Sequence, residues 1–212
     1  MSRTGPIVTR WTRRDFSADP VTLAQRLIGA RLVRTLESGC RLSGIIVETE
    51  AYLGVLDKAA HSFGGRRTPR TEPMYGPPGT AYVYFTYGMH HCMNVVCGAE
   101  GEPVAVLLRA LEPVEGIDAI HANRSRQSKR RAPLKATDLC SGPAKICQGL
   151  EIDRSLSGCD LVMSDRLLVE HEPNKRAGEL VNTPRIGVGY AQEWTAKPLR
   201  WRLSGNRHVS RN

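Results

Sequence analysis

Apolar and polar positions along the chain change their period several times, and each change predicts an element. Asp19-Pro20 followed by VTLAQRLIGARL places apolar residues at Leu23, Leu27 and Ile28, which predicts a capped helix that stops near Gly29. ARLVRTL and LSGIIVETEAYL, separated by the turn-rich ESGCR, predict a hairpin whose second strand runs toward Tyr52. Residues 64 to 79, GGRRTPRTEPMYGPPG, hold four Gly, four Pro and three Arg and predict an exposed loop. AYVYFTYG and HCMNVVCG predict two strands turning around Gly88, and EPVAVLLRAL a third that ends before EPVEG. From 117 a helical start runs into RSRQSKRR, five positive charges in eight residues, read as a basic loop that is either solvated or in contact with phosphates. DLCSGPAKICQGLEI predicts a helix capped by Ser141, with Pro143 in its first turn and Lys145 near the N–H groups that would face an anion. A strand and a polar excursion follow over 166 to 183, and RIGVGYAQEWTAKPLRWRL closes with loop and strand.

The alternation in VETEAY raises the first chemical question. On an extended strand Glu48, Glu50 and Tyr52 share one face, while Val47, Thr49 and Ala51 share the other. If the aliphatic face packs inward, the acidic face must line either water or a cleft. His61, the Arg-rich loop and the three tyrosines of AYVYFTYG favour the cleft, because a carboxylate beside aromatic walls suits holding a flat base while water attacks the attached sugar.

Composition adds one hint and removes several classes. The chain has 212 residues, enough for one substantial core, and no flexible linker, so a single domain is expected. Its net charge of +9 points toward acidic partners such as nucleic acid. No window approaches the roughly 20 apolar residues of a membrane span, and the first residues do not read as a secretory signal. Six cysteines, at 40, 92, 97, 140, 147 and 159, form no Cys-x-x-Cys pair or zinc-finger spacing and read as reduced, mostly buried thiols. His90 and His91 would point to opposite faces of a strand, a poor chelating pair.

Seven collinear motifs carry a family resemblance: VETEAY, AAHS with GGRRTPR, PGTAYVYFTYGM, CMN, VLLRALEP with EG, LCSGPAK, and RIGVG running into EW and KPLR. In order and spacing, over about residues 17 to 205, they resemble the alkyladenine DNA glycosylase family, also called mammalian-type 3-methyladenine DNA glycosylases. The resemblance implies an α+β fold with a curved antiparallel sheet and surrounding helices, like the C-terminal domain of formyltransferases. One domain would span 1–212, with 1–16 a flexible basic N-terminus. It further implies a monomer without metal or cofactor that works inside the cell, in the cytoplasm or nucleoid of a bacterium or the nucleus of a eukaryote. Its partner would be damaged double-stranded DNA and no membrane. Alkylated or deaminated purines, among them 3-methyladenine, 7-methylguanine, hypoxanthine and ethenoadenine, would be flipped out and cut from the sugar, leaving an abasic site.

The same resemblance distributes roles. Glu50 corresponds to the catalytic glutamate that activates water, Arg109 helps hold that water, and a backbone carbonyl at Ile186 assists. Glu48 takes a structural part. Tyr52, His61 and Tyr84 resemble the walls that stack the extruded base, and Asn94 the pocket residue that disfavours guanine. Tyr87 corresponds to the wedge that fills the gap in the helix, supported by Met89, while Arg70, Lys145 and Arg154 match contacts to backbone phosphates. The sequence departs from the family pattern at His90-His91, where aromatic residues are usual, and at Pro77. A basic binding module would not need Glu50, His61, Tyr84 and Arg109 together. A metal-dependent hydrolase lacks ligand spacing, and a lyase lacks a lysine in the pocket motifs.

Overall fold

The computed structural model describes residues 9–86, 88–128, 132–173 and 178–210. The chain is tied down from its first described residues. Trp11 donates its backbone N–H to the Val169 carbonyl at 2.9 Å, and Trp11, just before helix α1 (Arg13–Phe16), and Phe16, its last residue, are both buried. Residues 9–16, expected within a flexible basic start, pack in this way; residues 1–8 lie outside the described residues. Helix α2 (Pro20–Leu27) follows, with Asp19 Oδ1 accepting the Val21 and Thr22 N–H groups at 3.0 Å and Leu23, Ala24 and Leu27 turned inward.

Strands β1 (Arg31–Thr35) and β2 (Arg41–Tyr52) form the expected hairpin. After the Arg-rich loop come β3 (Ala81–Thr86), β4 (His90–Val96) and β5 (Ala105–Glu115), then helices α3 (Ile117–Gln127) and α4 (Pro143–Gly149), and finally β6 (Leu167–Glu170), β7 (Leu180–Thr183) and β8 (Arg200–Leu203). All strand pairings are antiparallel, in the order β3-β4-β5-β2-β1-β6, and the sheet curls as the α+β class requires. β2 is its axis. One edge pairs with β5 along most of its length; the other pairs first with β1, at Arg41 to Ile45, and then with β8, at Glu48 to Glu50. β2 is buried on both faces, which is why its alternation of apolar and acidic residues does not mean alternation of core and solvent.

In-register residues of neighbouring antiparallel strands point to the same side. Ala81, Val95, Val106 and Ala51 form one such row and belong to the main core with Leu23, Ile146 and Cys147. One residue along each strand, Tyr82, Asn94, Leu107, Glu50 and Arg200 form the opposite row across β3, β4, β5, β2 and β8. The sheet thus separates an apolar side from a side rich in functional groups.

Three boundaries differ from expectation, each for a local reason. β5 continues through the EPVE segment, because Pro113 sits opposite Gly44 beside a register irregularity where its missing N–H interrupts no regular ladder. The basic run starts as helix: Arg124 belongs to α3, is buried, and donates Nε to the Leu139 carbonyl at 3.0 Å and Nη1 to Gln148. Lys129, Arg130 and Arg131 of that run lie outside the described residues. Gly142, not Ser141, is the N-cap of α4; Ser141 instead bridges to Ala110 and accepts a bond from Lys145 Nζ at 3.1 Å. Cys92, Cys97, Cys140 and Cys147 are buried, Cys159 is half-buried, Cys40 is exposed, and none is in a disulfide. No helix among the described residues is long and apolar enough to cross a membrane.

Gly116 makes the turn from β5 into α3 at φ 66°, and a Cβ there would lie 2.5 Å from Leu42 Cδ2 and 2.7 Å from the Arg41 carbonyl. Gly116→Ala is expected to cost about 1–3 kcal/mol, read as a lowered urea midpoint with unchanged slope. An unchanged midpoint would show that this turn tolerates a side chain.

Candidate active site

The polar row of the sheet opens into a cavity of about 250 Å³. Tyr52, His61, Tyr84, Asn94, Arg109 and Ile186 all line it, so residues scattered over more than half the sequence converge on one place. Strands position four of them: Tyr52 ends β2, Tyr84 lies on β3, Asn94 on β4 and Arg109 on β5. Loops bring His61 and Ile186, and Pro143 of the SGPAK motif closes another part of the wall.

The Glu50 carboxylate lies fully buried among groups that line this cavity. Its Oε1 is 3.0 Å from Arg109 Nη1 and accepts the Ile186 N–H at 2.8 Å, and its Oε2 accepts the Tyr52 hydroxyl at 3.0 Å. Glu48, also fully buried, lies deeper. Its Oε1 accepts Arg109 Nε at 2.9 Å, Arg200 Nε at 2.6 Å and the Ser210 hydroxyl at 2.8 Å, while Oε2 accepts the Ser210 N–H at 2.6 Å. Neither glutamate faces open water, which corrects the choice between solvent and cleft: two carboxylates and two guanidiniums form one enclosed network. Burial lowers the Arg109 pKa, but the charges of Glu50 and Glu48 outweigh it and raise the pKa overall, so the guanidinium is a fixed cation. Burial, then the Glu50 charge, pushes the Tyr52 phenol well above its usual range, so it remains a hydrogen-bond donor.

A second buried pair fixes the loops. Arg185 donates Nη1 to Asp57 Oδ2 at 2.6 Å and to the Ala51 carbonyl at 3.0 Å, and Nη2 to Asp57 Oδ1 at 2.9 Å. Asp57 also accepts the N–H groups of Leu53 and Ala59, each at 3.0 Å. This bidentate pair ties the loop after β2 to the segment carrying Ile186, with the guanidinium 4.6 Å from the Tyr52 ring centre. Ile186 therefore presents its N–H to Glu50, a contact separate from the carbonyl role that the family resemblance implies. Arg185, Asp57, Arg200 and Ser210 received no role from sequence. Arg185 stands in RIGVG and Arg200 in KPLR, but nothing in the sequence says which carboxylate either will meet.

The opposite wall is aromatic. The His61 and Tyr84 rings meet edge-on with centres 4.6 Å apart, Tyr82 stacks on Tyr84 at 5.2 Å, and the buried Tyr82 hydroxyl meets His61 Nδ1 at 2.9 Å. The Arg70 guanidinium is 5.4 Å from the Tyr84 ring centre and donates to the Phe85 carbonyl at 3.3 Å. Burial, then the charges of Arg70 and Arg66, pushes the His61 pKa down from 6.5 to about 4, so the slot is walled by neutral rings. Asn94 is buried, and its Oδ1 has no hydrogen-bond partner among the described residues.

Met89, Lys145 and Arg154 do not line this slot. Met89 is exposed in the β3–β4 turn and lines a neighbouring cavity with His90, His91 and Gln148. Lys145 is half-buried on α4, and Arg154 is exposed in the short turn Arg154–Leu156. Tyr87 lies outside the described residues. Among the described residues, no group of three or more His, Cys, Asp or Glu is placed to hold a metal ion.

A family model described as Methylpurine-DNA glycosylase matches residues 14–207. The chain belongs to that family. A mouse relative named DNA-3-methyladenine glycosylase is 48% identical over 92% of this chain, and a human one of the same name 46% identical over 96%. This chain spans 59% of the mouse and 68% of the human protein, whereas a 45% identical relative from Clostridium acetobutylicum is covered over 96% of its length. Membership in the family accords with the converged cavity, since the matched region contains every residue that lines it.

The His61 environment gives a signed pH prediction. The unfolded chain binds a proton there near pH 6.5 and the folded one only near 4, so this group's stabilisation is complete above about 6.5 and declines as pH falls toward 4. Thermal melts across that window should show Tm falling, and His61→Gln should make the fall shallower. An identical slope in the variant would remove His61 from the account.

Proposed function

We propose that this chain is a monofunctional DNA glycosylase that hydrolyses the N-glycosidic bond of alkylated or deaminated purines in duplex DNA. The observation that carries the reading is the Glu50 carboxylate, buried behind an aromatic slot and held by Arg109, Ile186 and Tyr52, three residues that line that slot. Three donors occupy three of its roughly four acceptor positions, leaving about one for a water molecule. Water bound there loses a proton to Glu50 as its oxygen attacks C1′ of the deoxyribose. The bond to the base breaks with its electron pair leaving on the purine, and the carboxylate counters the charge on the oxocarbenium-like sugar. Tyr52, His61 and Tyr84 stack the base, and cation–π attraction of about 0.5–2 kcal/mol favours a cationic alkylpurine over an intact one. A cationic purine leaves as a neutral molecule, so the chemical step adds to that selection.

The extruded nucleotide leaves a gap that Tyr87 would fill, with Met89 beside it at the tip of the β3–β4 hairpin. Arg70, near the slot, and Lys145 and Arg154 farther away would hold backbone phosphates. The net charge of +9 supports that partner.

Purified protein is expected to release hypoxanthine or 3-methyladenine from a duplex, measured as alkali-sensitive strand breaks, with EDTA present. Glu50→Gln should keep lesion binding and lose turnover by at least about a hundredfold. A variant that cuts like the parent would show that another group activates the water. Affinity for duplex should fall linearly on a plot of log K against log salt, whereas a flat line would contradict phosphate-dominated binding.

A further inference from the structure

Ser210 meets the charged network from the far end of the sequence, 162 residues from Glu48. It is buried, and it places two groups in a specific gap. Its N–H takes Glu48 Oε2 at 2.6 Å; its hydroxyl gives its proton to Glu48 Oε1 at 2.8 Å and accepts from Arg109 Nη2 at 3.3 Å. Arg109 Nη2 and Glu48 Oε2 are the two atoms that would complete a side-on, two-bond fork between this guanidinium and this carboxylate, the arrangement such pairs favour. Ser210 occupies both. Arg109 is thereby left with one bond to Glu48, through Nε, and with Nη1 turned 3.0 Å from Glu50.

We infer that Ser210 is a positioning residue, which keeps Arg109 shared between the two glutamates by blocking the fork it would otherwise form with Glu48 alone. The inference rests on the reading of Glu50 as the group that activates water. Its own segment is steered by Asn206, whose Nδ2 donates to Glu112 Oε2 at 3.1 Å and whose Oδ1 accepts the His208 N–H at 2.8 Å. Charged and titratable groups face the network from several elements: Glu48, Glu50 and Tyr52 from β2, Arg109 from β5, Arg200 from β8, and the Arg185–Asp57 pair behind Tyr52, while Arg207 and His208 precede Ser210 on its own segment and line a separate cavity.

Loss of the hydroxyl frees Nη2 to close on the second acceptor position of Glu48 Oε2, the Ser210 N–H keeping the first, and draws Nη1 away from Glu50. A carboxylate that loses its cation takes up a proton more readily, so the acidic limb of the pH–rate profile must move to higher pH. The test compares Ser210→Thr, Ser210→Cys and Ser210→Ala with the parent on a hypoxanthine duplex under single turnover. Ser210→Ala is expected to lower the rate on the order of tenfold, leave lesion-duplex Kd unchanged and shift the acidic limb upward. Ser210→Thr, which keeps the hydroxyl, should restore both, and Ser210→Cys, a weaker donor, should fall between them. The graded order keeps the test decisive even if the alanine variant folds poorly. A rate loss with an unmoved limb, or full activity in Ser210→Cys, would overturn the positioning role. A parent protein without excision activity would instead bring down the assignment of Glu50, on which this inference rests.

Discussion

The site depends on one arginine serving two carboxylates inside a folded domain. Two glutamates on one strand, two residues apart and both out of water, repel each other and are costly to desolvate unless cations share the interior with them. Arg109 meets both, and Arg200 and Ser210 complete the shell around Glu48. Glu48 thus holds the cation in place, and Glu50 is held by Arg109, Ile186 and Tyr52, three residues that line the cavity. Breaking such a buried pair by removing one partner costs about 3–5 kcal/mol, so the geometry around Glu50 is tied to the stability of the sheet itself.

The sheet makes this arrangement affordable by giving its two sides different work. One row of in-register residues, Ala81 to Ala51, packs the core against the helices, and the adjacent row, Tyr82 to Arg200, carries the chemistry. A slip of one residue in any strand would exchange the two rows. Gly116, where β5 turns into α3 at φ 66°, and the register irregularities near Glu48 help set where those rows lie. The Arg185–Asp57 pair extends the same logic to loops, fixing the segment that carries Ile186 against the end of β2 beside Tyr52.

Membership in the methylpurine-DNA glycosylase family gives these features a common purpose in the proposed reaction. A flipped base needs flat, neutral walls, and burial keeps His61 uncharged beside Tyr84. The proposed water activation needs a carboxylate with one acceptor position left beside the donors from Arg109, Ile186 and Tyr52. Basic residues outside the slot are spread over separate loops and helices, as suits a partner whose charge is distributed along a backbone.

The sequence alone determined the strands and helices whose periodicity is local: the Asp19-capped helix, the hairpin toward Tyr52, and the tyrosine-bearing strand. Through the order of its motifs it also determined the family and six of the residues that line the slot. It did not reveal that β5 runs through Pro113, that Arg124 is buried in α3, or that the glutamates are enclosed. Each of those outcomes depends on what lies across the sheet or behind the helix, and side-chain alternation reports only that two faces differ, not what covers them. Only the tertiary structure decided the partners of Glu48, because Arg109, Arg200 and Ser210 reach it from three distant segments. Burial energy and hydrogen-bond geometry selected them, and neither is written in the spacing of residues along one strand.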